Sequence, residues 1–105
     1  MKTLQNKVCL VTGGAQGIGE AILRSYAREG AKVVSCDRND EAGKTVVDSI
    51  VAEGGKALYF HCDVSQSDDV AAVVDETISN YGQLPSLWAG PDEYVDRQHF
   101  QHGFL

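Results

Sequence analysis

The chain has 105 residues, of which 43% are hydrophobic and 23% are charged, a balance typical of one globular domain rather than a disordered or fibrous protein. Nine Lys and Arg residues stand against fifteen Asp and Glu residues, which leaves a formal charge of -6. That sign disfavours a nucleic-acid groove or an anionic membrane surface as a partner. No apolar run is long enough to cross a bilayer or to act as a signal peptide, so we expect a cytoplasmic protein.

Three short runs of apolar, β-branched or aromatic residues alternate with three helical patterns. The runs cover residues 7–11, 32–36 and 57–62, and continuous apolar runs of this length are typical of strands buried on both faces of a parallel sheet. Strands that alternate with helices imply right-handed crossovers. We therefore predict an α/β fold of order βαβαβα, either a doubly wound parallel sheet or part of one.

Each helical pattern gathers its apolar residues on one face and ends at a glycine. The first face comprises Ile18, Ala21, Ile22, Ser25 and Tyr26, before Gly30. The second, over about residues 41–53, comprises Ala42, Val46 and Ile50, before Gly54. The third comprises Val70, Val73, Val74 and Ile78, before Gly82. At the start of the third pattern, Ser65 and Asp68 occupy capping-box positions.

The regular pattern ends near Leu84. Residues 85–105 hold both prolines of the chain and show no sustained period. We predict an ordered half-domain over residues 1–84 and an irregular tail over residues 85–105. Residues 86–89 are expected to supply at most a short strand with a few hydrogen bonds.

The cysteines and histidines do not indicate a disulfide or a metal site. Cys9, Cys36 and Cys62 are odd in number, widely spaced and set in apolar runs, so we interpret them as buried free thiols. His99 and His102 would share a face if the tail were helical, but imidazoles there are better interpreted as solvated, and no metal ligand is predicted.

Gly13, Gly17 and Gly19 lie between the first strand and the first helix, in the pattern T-G-x-x-x-G-x-G. Glycines at such a turn let the backbone approach a pyrophosphate, and the free N–H groups of the following helix favour its charge. A tight turn without a ligand is the alternative explanation of a glycine-rich connection. The position of this loop after a strand and before a helix favours phosphate binding.

Acidic residues end the second and third strands. Asp37 follows Gly19 by eighteen residues, where a carboxylate accepts hydrogen bonds from a ribose diol and repels a 2′-phosphate. Asp37 therefore favours NAD over NADP, although a guanidinium at Arg38 could pair with such a phosphate. Asp63 ends the third strand in a similar way, and its competing role is to cap the third helix.

The sequence resembles the short-chain dehydrogenase/reductase family over about residues 5–84. The resemblance rests on VTGGAQGIG at 11–19, the acidic residue in SCDRN and CDVS at 62–65. It implies that residues 1–84 are the dinucleotide-binding half of a Rossmann-type sheet. By the same resemblance, Gly13, Gly17 and Gly19 would form the diphosphate turn, Ile18 would pack by the cofactor, Asp37 would hold the adenosine ribose, and Asp63 with Val64 would contact the adenine.

The family's catalytic residues are not recognisable. Members of the family continue with a strand ending in N-N-A-G, a catalytic Ser and a Tyr-x-x-x-Lys pair. Here no tyrosine has a lysine four positions later, and no lysine follows Lys56. We therefore expect a truncated NAD(P)-dependent oxidoreductase of this family, confined to dinucleotide binding and without a catalytic residue of its own.

A missing fourth strand would leave the first strand with an open edge, because the first strand is central in the order 3-2-1-4 of the resembled fold. An open apolar edge invites pairing with another chain. The alternative functions are therefore a non-catalytic module that self-associates or pairs with a longer relative, and a fragment without function.

Overall fold

The computed structural model describes residues 3–89, which form one parallel sheet covered by helices on both faces. The elements are β1 (Val8–Thr12), α1 (Gly17–Arg28), β2 (Lys32–Asp37), α2 (Asp40–Ala52), β3 (Lys56–His61), α3 (Ser67–Tyr81) and β4 (Leu87–Ala89). The predicted α/β class and the three successive strand–helix units are thereby confirmed.

The strands lie in the order β3-β2-β1-β4, and every neighbouring pair is parallel. In this register Val11 of β1 lies between Ser35 of β2 and Ala89 of β4. Along the chain, β2 and β3 therefore add on one side of β1, and β4 then adds on the other side. A crevice forms at such a reversal of strand order, outside the carboxyl ends of the strands, and it is where doubly wound sheets bind ligands.

Two apolar layers cover the sheet, which explains why the strand sequences read as continuous apolar runs. Cys9 and Val11 of β1 pack with buried residues of α1 and α2. Leu10, which points to the opposite face, packs with the buried valines of α3. Every residue of β1 is buried as a result, as expected for the central strand of a doubly covered parallel sheet.

The buried face of helix α1 only partly matches the predicted one, since Ile22 and Tyr26 pack against the core but are not its most buried residues. Its buried residues are Gly19 and Leu23. Of the predicted face, Ile18, Ala21 and Ser25 are exposed, and Ile22 and Tyr26 are half-buried. Because Gly19 has no side chain, the first turn of α1 lies directly against the preceding loop, and Leu23, one turn later, faces the core.

The predicted capping box at the start of the third helix is wrong. Helix α3 begins at Ser67, and its N-cap residue, Gln66, makes no side-chain hydrogen bond to the helix. Ser65 instead donates its N–H and its hydroxyl to Oδ1 of Asp63, at 3.0 and 2.7 Å. The predicted valine stripe is buried, whereas Ile78 is 37% exposed. The end of the helix is as predicted, with Gly82 in the left-handed conformation at φ 76°.

Residues 87–89 form the short strand that the sequence allowed. They pair with Cys9, Leu10 and Val11, so the open edge predicted for β1 is wrong over those residues. The two edge strands of the described sheet are β3 and β4. The remainder of the predicted irregular tail, with His99 and His102, lies outside the described residues.

All three cysteines are free and buried, which confirms their interpretation as buried thiols. Burial raises the pKa of Cys9 to about 11, so this thiol stays neutral at physiological pH.

None of the helices within residues 3–89 combines the length and the apolarity needed to cross a membrane.

Replacing Gly43 in α2 with alanine should destabilise the fold, although alanine is the better helix former by about 1 kcal/mol. The added Cβ would lie 2.8 Å from Cζ of Tyr59 and closer still to other ring atoms. Overpacking of this kind costs about 1–3 kcal/mol, so we expect a melting temperature lower by about 5 °C. A variant that melts at or above the parent temperature would show that the ring moves aside freely.

Candidate functional site

The sequence-predicted site residues gather at the carboxyl edge of the sheet. Gly13 follows β1, Asp37 ends β2, and Asp63 lies two residues beyond the end of β3. The strands hold these positions side by side: the N–H of Gly13 donates to the carbonyl of Cys36 at 2.8 Å, and the N–H of Cys62 donates to the carbonyl of Asp37 at 3.0 Å. The parallel register thus assembles residues that are far apart in the chain.

Glycine is favoured at positions 13, 17 and 19 of the loop for two different reasons. Gly13 and Gly17 have φ values of 68° and 61°, in the left-handed region that strains other residues. Gly19 lies so close to the loop backbone that an added Cβ would be 2.6 Å from the carbonyl carbon of Gly13. This contact brings the first turn of α1 directly onto the loop.

The N-terminus of α1 is left without a side-chain cap. Its N-cap residue, Gln16, makes no side-chain hydrogen bond to the helix, whereas Oδ1 of Asn39 caps α2 by accepting the N–H of Ala42 at 3.1 Å. The N–H groups and the positive dipole end of α1 are therefore available to an anion. Beside them Ile18 is 69% exposed, the largest exposure among the large apolar side chains of residues 3–89.

The Asp37 carboxylate is bonded directly to the glycine loop. Its Oδ2 accepts the N–H of Ala15 at 3.2 Å, and its Oδ1 accepts the N–H of Asn39 at 3.0 Å. Asp37 is half-buried, and each oxygen keeps further lone pairs for another donor. The sequence indicated both the loop and Asp37 but not this bond, since the donor is a backbone group that any residue type supplies.

Asp63 forms a turn rather than a helix cap. Hydrogen bonds from the hydroxyl and the N–H of Ser65 lower the pKa of Asp63, and the guanidinium of Arg38 adds to the effect. The N–H of Asp63 donates to Oδ2 of Asp69 at 3.1 Å, which fixes the residue against α3. Val64 is half-buried and packs against the α3 side of the core. Both residues thus lie just beyond β3, at the same edge of the sheet as Asp37.

The two residues that donate to the Asp37 carboxylate, Ala15 and Asn39, line a hollow that carries both acidic and basic side chains. A hollow of about 400 Å³ separates the glycine loop from α2, and it is lined by Ala15, Glu20, Arg24, Asn39, Glu41, Ala42, Thr45 and Val46. Nε of Arg24 is paired with Oε2 of Glu20 at 2.8 Å, so its charge is already compensated. Within residues 3–89 no group of three His, Cys, Asp or Glu side chains has the arrangement of a metal site.

Sequence reasoning missed a cluster that adjoins Asp37. Oη of Tyr59 lies 2.8 Å from the carbonyl oxygen of Asp37 and 2.7 Å from Oδ1 of Asp40. Nδ1 of His61 lies 2.8 Å from the same carboxylate oxygen. Hydrogen bonds from Tyr59 and then from His61 lower the pKa of Asp40. No local pattern could reveal this cluster, because it depends on the register of β2 and β3 and on the angle of α2.

A glycine turn that leads into an uncapped helix, with a carboxylate at the end of the next strand, is typical of doubly wound α/β sheets that bind nucleotides. A family model described as short chain dehydrogenase matches residues 7–91, and the chain belongs to this family.

Similar proteins include dehydrogenases and reductases about three times as long. The chain is 46% identical over 87 residues to tropinone reductase-like 1 of Erythroxylum coca, covering 83% of this chain and 31% of that protein. It is 46% identical over 84 residues to a 2,5-dichloro-2,5-cyclohexadiene-1,4-diol dehydrogenase of Sphingobium indicum, covering 80% and 32%. A crystal structure of a hydroxysteroid dehydrogenase from Escherichia coli superimposes with a TM-score of 0.75 at 37% identity, over 77% of this chain and 33% of that one. The chain thus spans about a third of the length of the curated relatives that it matches.

Proposed function

We propose that this chain binds a nicotinamide dinucleotide at the carboxyl edge of its sheet and that it prefers NAD to NADP. The observation that carries the proposal is the hydrogen bond from the Ala15 N–H to the Asp37 carboxylate. This bond joins the loop proposed to bind the diphosphate to the carboxylate proposed to accept the ribose. The positions proposed for the diphosphate and for the ribose are therefore adjacent.

The residues of the loop fit a diphosphate. Gly17 faces open space, so a ligand can approach the backbone there, and the uncapped N-terminus of α1 would receive the charge. Gly13 and Gly19 would keep the turn tight. Ile18, already exposed beside this position, would cover an apolar part of the ligand and so gain burial.

Asp37 is the proposed ribose acceptor and the source of the preference for NAD. Its free lone pairs would accept the adenosine diol, whereas a 2′-phosphate at this position would meet the negative charge of Asp37, and Glu41 adds a carboxylate to the neighbouring hollow. Arg38 is the competing group, but its charge acts on Asp63. Asp63 and Val64 would lie beside the adenine.

The oxidoreductase activity of the family depends on the chemistry of the bound cofactor. A nicotinamide ring supplies a hydride donor or acceptor for alcohols and carbonyl compounds when it is bound. The residues proposed here bind and orient the cofactor, and none of them supplies the tyrosine and lysine pair of the family. We therefore propose dinucleotide binding without turnover for this chain. The alternative of pairing through the edge of β1 is less favoured, because β4 covers Cys9, Leu10 and Val11.

Thermal unfolding of the purified chain tests the proposal. A ligand that binds only the native state raises the melting temperature by mass action. We expect a cooperative transition that millimolar NAD raises by several degrees and that NADP raises less. A cooperative transition that neither nucleotide moves would contradict dinucleotide binding, and equal shifts would contradict the preference. Turnover of NADH with a panel of small carbonyl compounds would overturn the claim of binding without catalysis.

A further inference from the structure

The connection between β2 and α2 carries the proposed ribose acceptor and is held at both ends by one side chain from β3. Tyr59 lies on β3, one strand away from the connection. Its Oη is 2.8 Å from the carbonyl oxygen of Asp37, where the connection begins. The same Oη is 2.7 Å from Oδ1 of Asp40, where α2 begins. A single hydroxyl therefore spans the whole connection.

A tyrosine hydroxyl carries one proton, and both neighbours of the Tyr59 hydroxyl are acceptors. The O–H is therefore shared between the Asp37 carbonyl and the Asp40 carboxylate. Burial, and then the hydrogen bond to Asp40, raise the pKa of Tyr59, so the proton stays on the phenol. The other partner of Asp40 is Nδ1 of His61, at 2.8 Å. Asp40 is thus fixed from two sides.

The ring of Tyr59 is fixed by packing as well. Gly43, in the first turns of α2, leaves the space that the ring fills, since an added Cβ there would overlap it. Gly43 is itself buried. The hydroxyl is therefore presented to the connection by a ring that lies between β3 and α2, and α2 cannot shift without moving the ring.

The carboxylate of Asp37 depends on the conformation of this same connection. Its Oδ1 accepts the N–H of Asn39, which lies within the connection, and its Oδ2 accepts the N–H of Ala15 in the glycine loop. If the backbone between residues 37 and 40 loosens, the first bond weakens and the carboxylate can rotate away from the second. Arg38, exposed at the middle of the connection, then gains freedom to approach a phosphate.

We propose that Tyr59 is a positioning residue for cofactor selection: its hydroxyl fixes the connection from Asp37 to Asp40 so that the Asp37 carboxylate faces the ribose and Arg38 is kept from a 2′-phosphate. The proposal rests on the proposed function for its ligand. The claim that Tyr59 positions the Asp37 carboxylate concerns only contacts within this chain. It can therefore be measured without a nucleotide.

The test compares Tyr59→Phe with Tyr81→Phe, a matched control. The Tyr81 hydroxyl also donates to a carbonyl of β2, that of Val33 at 3.3 Å, but far from Asp37. Affinities for NAD and NADP are measured by calorimetry, melting temperatures by circular dichroism, and exchange of the Ala15 and Asn39 amides by NMR. Tyr59→Phe should weaken NAD binding by up to about tenfold, the limit reached if the whole contribution of the lost hydrogen bond had served to hold Asp37 in its binding position. NADP binding should fall less, so the preference for NAD shrinks.

The exchange of the Asn39 and Ala15 amides should accelerate in Tyr59→Phe and stay at the parent rate in Tyr81→Phe. An unchanged ratio of NAD to NADP affinity together with unchanged exchange would overturn the proposal. So would equal losses in both variants that follow only the melting temperature, because a general structural role predicts that result. If the parent chain binds neither nucleotide, the proposed function fails, while amide exchange still decides whether Tyr59 positions the Asp37 carboxylate.

Discussion

Replacing Gly19 with alanine should abolish nucleotide binding and lower the melting temperature by about 10 °C. The added Cβ would overlap the carbonyl oxygen of Gly13, and it would lie 2.6 Å from its carbonyl carbon and 3.2 Å from the backbone nitrogen of Gly14. Backbone atoms cannot rotate away as a flexible side chain can. Either α1 moves off the loop or the loop opens, and overpacking of this kind costs about 1–3 kcal/mol or more. Both outcomes destroy the turn that the diphosphate needs.

Gly54→Ala is the matched control for this variant. Gly54 has a φ of 95°, but an added Cβ there meets nothing within 4 Å, and the residue follows α2 at the opposite edge of the sheet. The left-handed conformation costs alanine about 1–2 kcal/mol, so the control should melt at a lower temperature and still bind NAD. A Gly19→Ala chain that binds NAD with parent affinity would contradict the close approach of α1 to the loop.

Replacing Asp37 with asparagine should reverse the preference between the two nucleotides. The amide keeps the size of the side chain but has one acceptor oxygen in place of two, so it cannot accept Ala15, Asn39 and a ribose diol together. Hydrogen bonds to a charged acceptor contribute about 1.5–3 kcal/mol, which corresponds to a loss of about tenfold or more in NAD affinity. NADP should bind as well as before or better, because the nearest negative charge to its 2′-phosphate is removed. Titration calorimetry measures both affinities.

Asp48→Asn provides the control for the change in net charge. Asp48 is an exposed residue of α2, and it lines neither the glycine loop nor the hollow beside Asp37. The substitution removes the same formal charge without changing the proposed site, so the affinities for NAD and NADP should stay at the parent values. If Asp37→Asn weakens NAD and NADP by the same factor, Asp37 supports the fold of the site and does not select the ribose.

The features that the sequence predicted correctly are those that depend on local pattern. Continuous apolar runs marked three of the strands because both faces of the sheet are buried. Glycines at 13, 17 and 19 marked the loop because backbone conformation and close approach exclude other residues there. The position of Asp37 at the carboxyl edge of the sheet was predicted because it directly follows an apolar run, and parallel strands end at that edge.

The features that the sequence did not predict depend on contacts between elements. The buried face of α1 is set by the contact of Gly19 with Gly13, which the periodicity of the helix does not contain. Ser65 bonds to Asp63 instead of the helix, and either arrangement satisfies a serine at that position. The role of Tyr59 requires the register of β3 on β2 and the space at Gly43.

The most direct test of a dinucleotide site at the carboxyl edge is an NMR titration of the isotopically labelled chain with NAD. We predict that the amide signals of residues 13–19 and of Asp37 and Asn39 move with a common saturation curve. Signals near the cleft that Arg28, Gly54 and Gly55 line at the opposite edge should stay in place. Changes confined to that cleft, or no changes at saturating NAD in a folded chain, would contradict the assignment of the glycine loop and Asp37 as a dinucleotide-binding site.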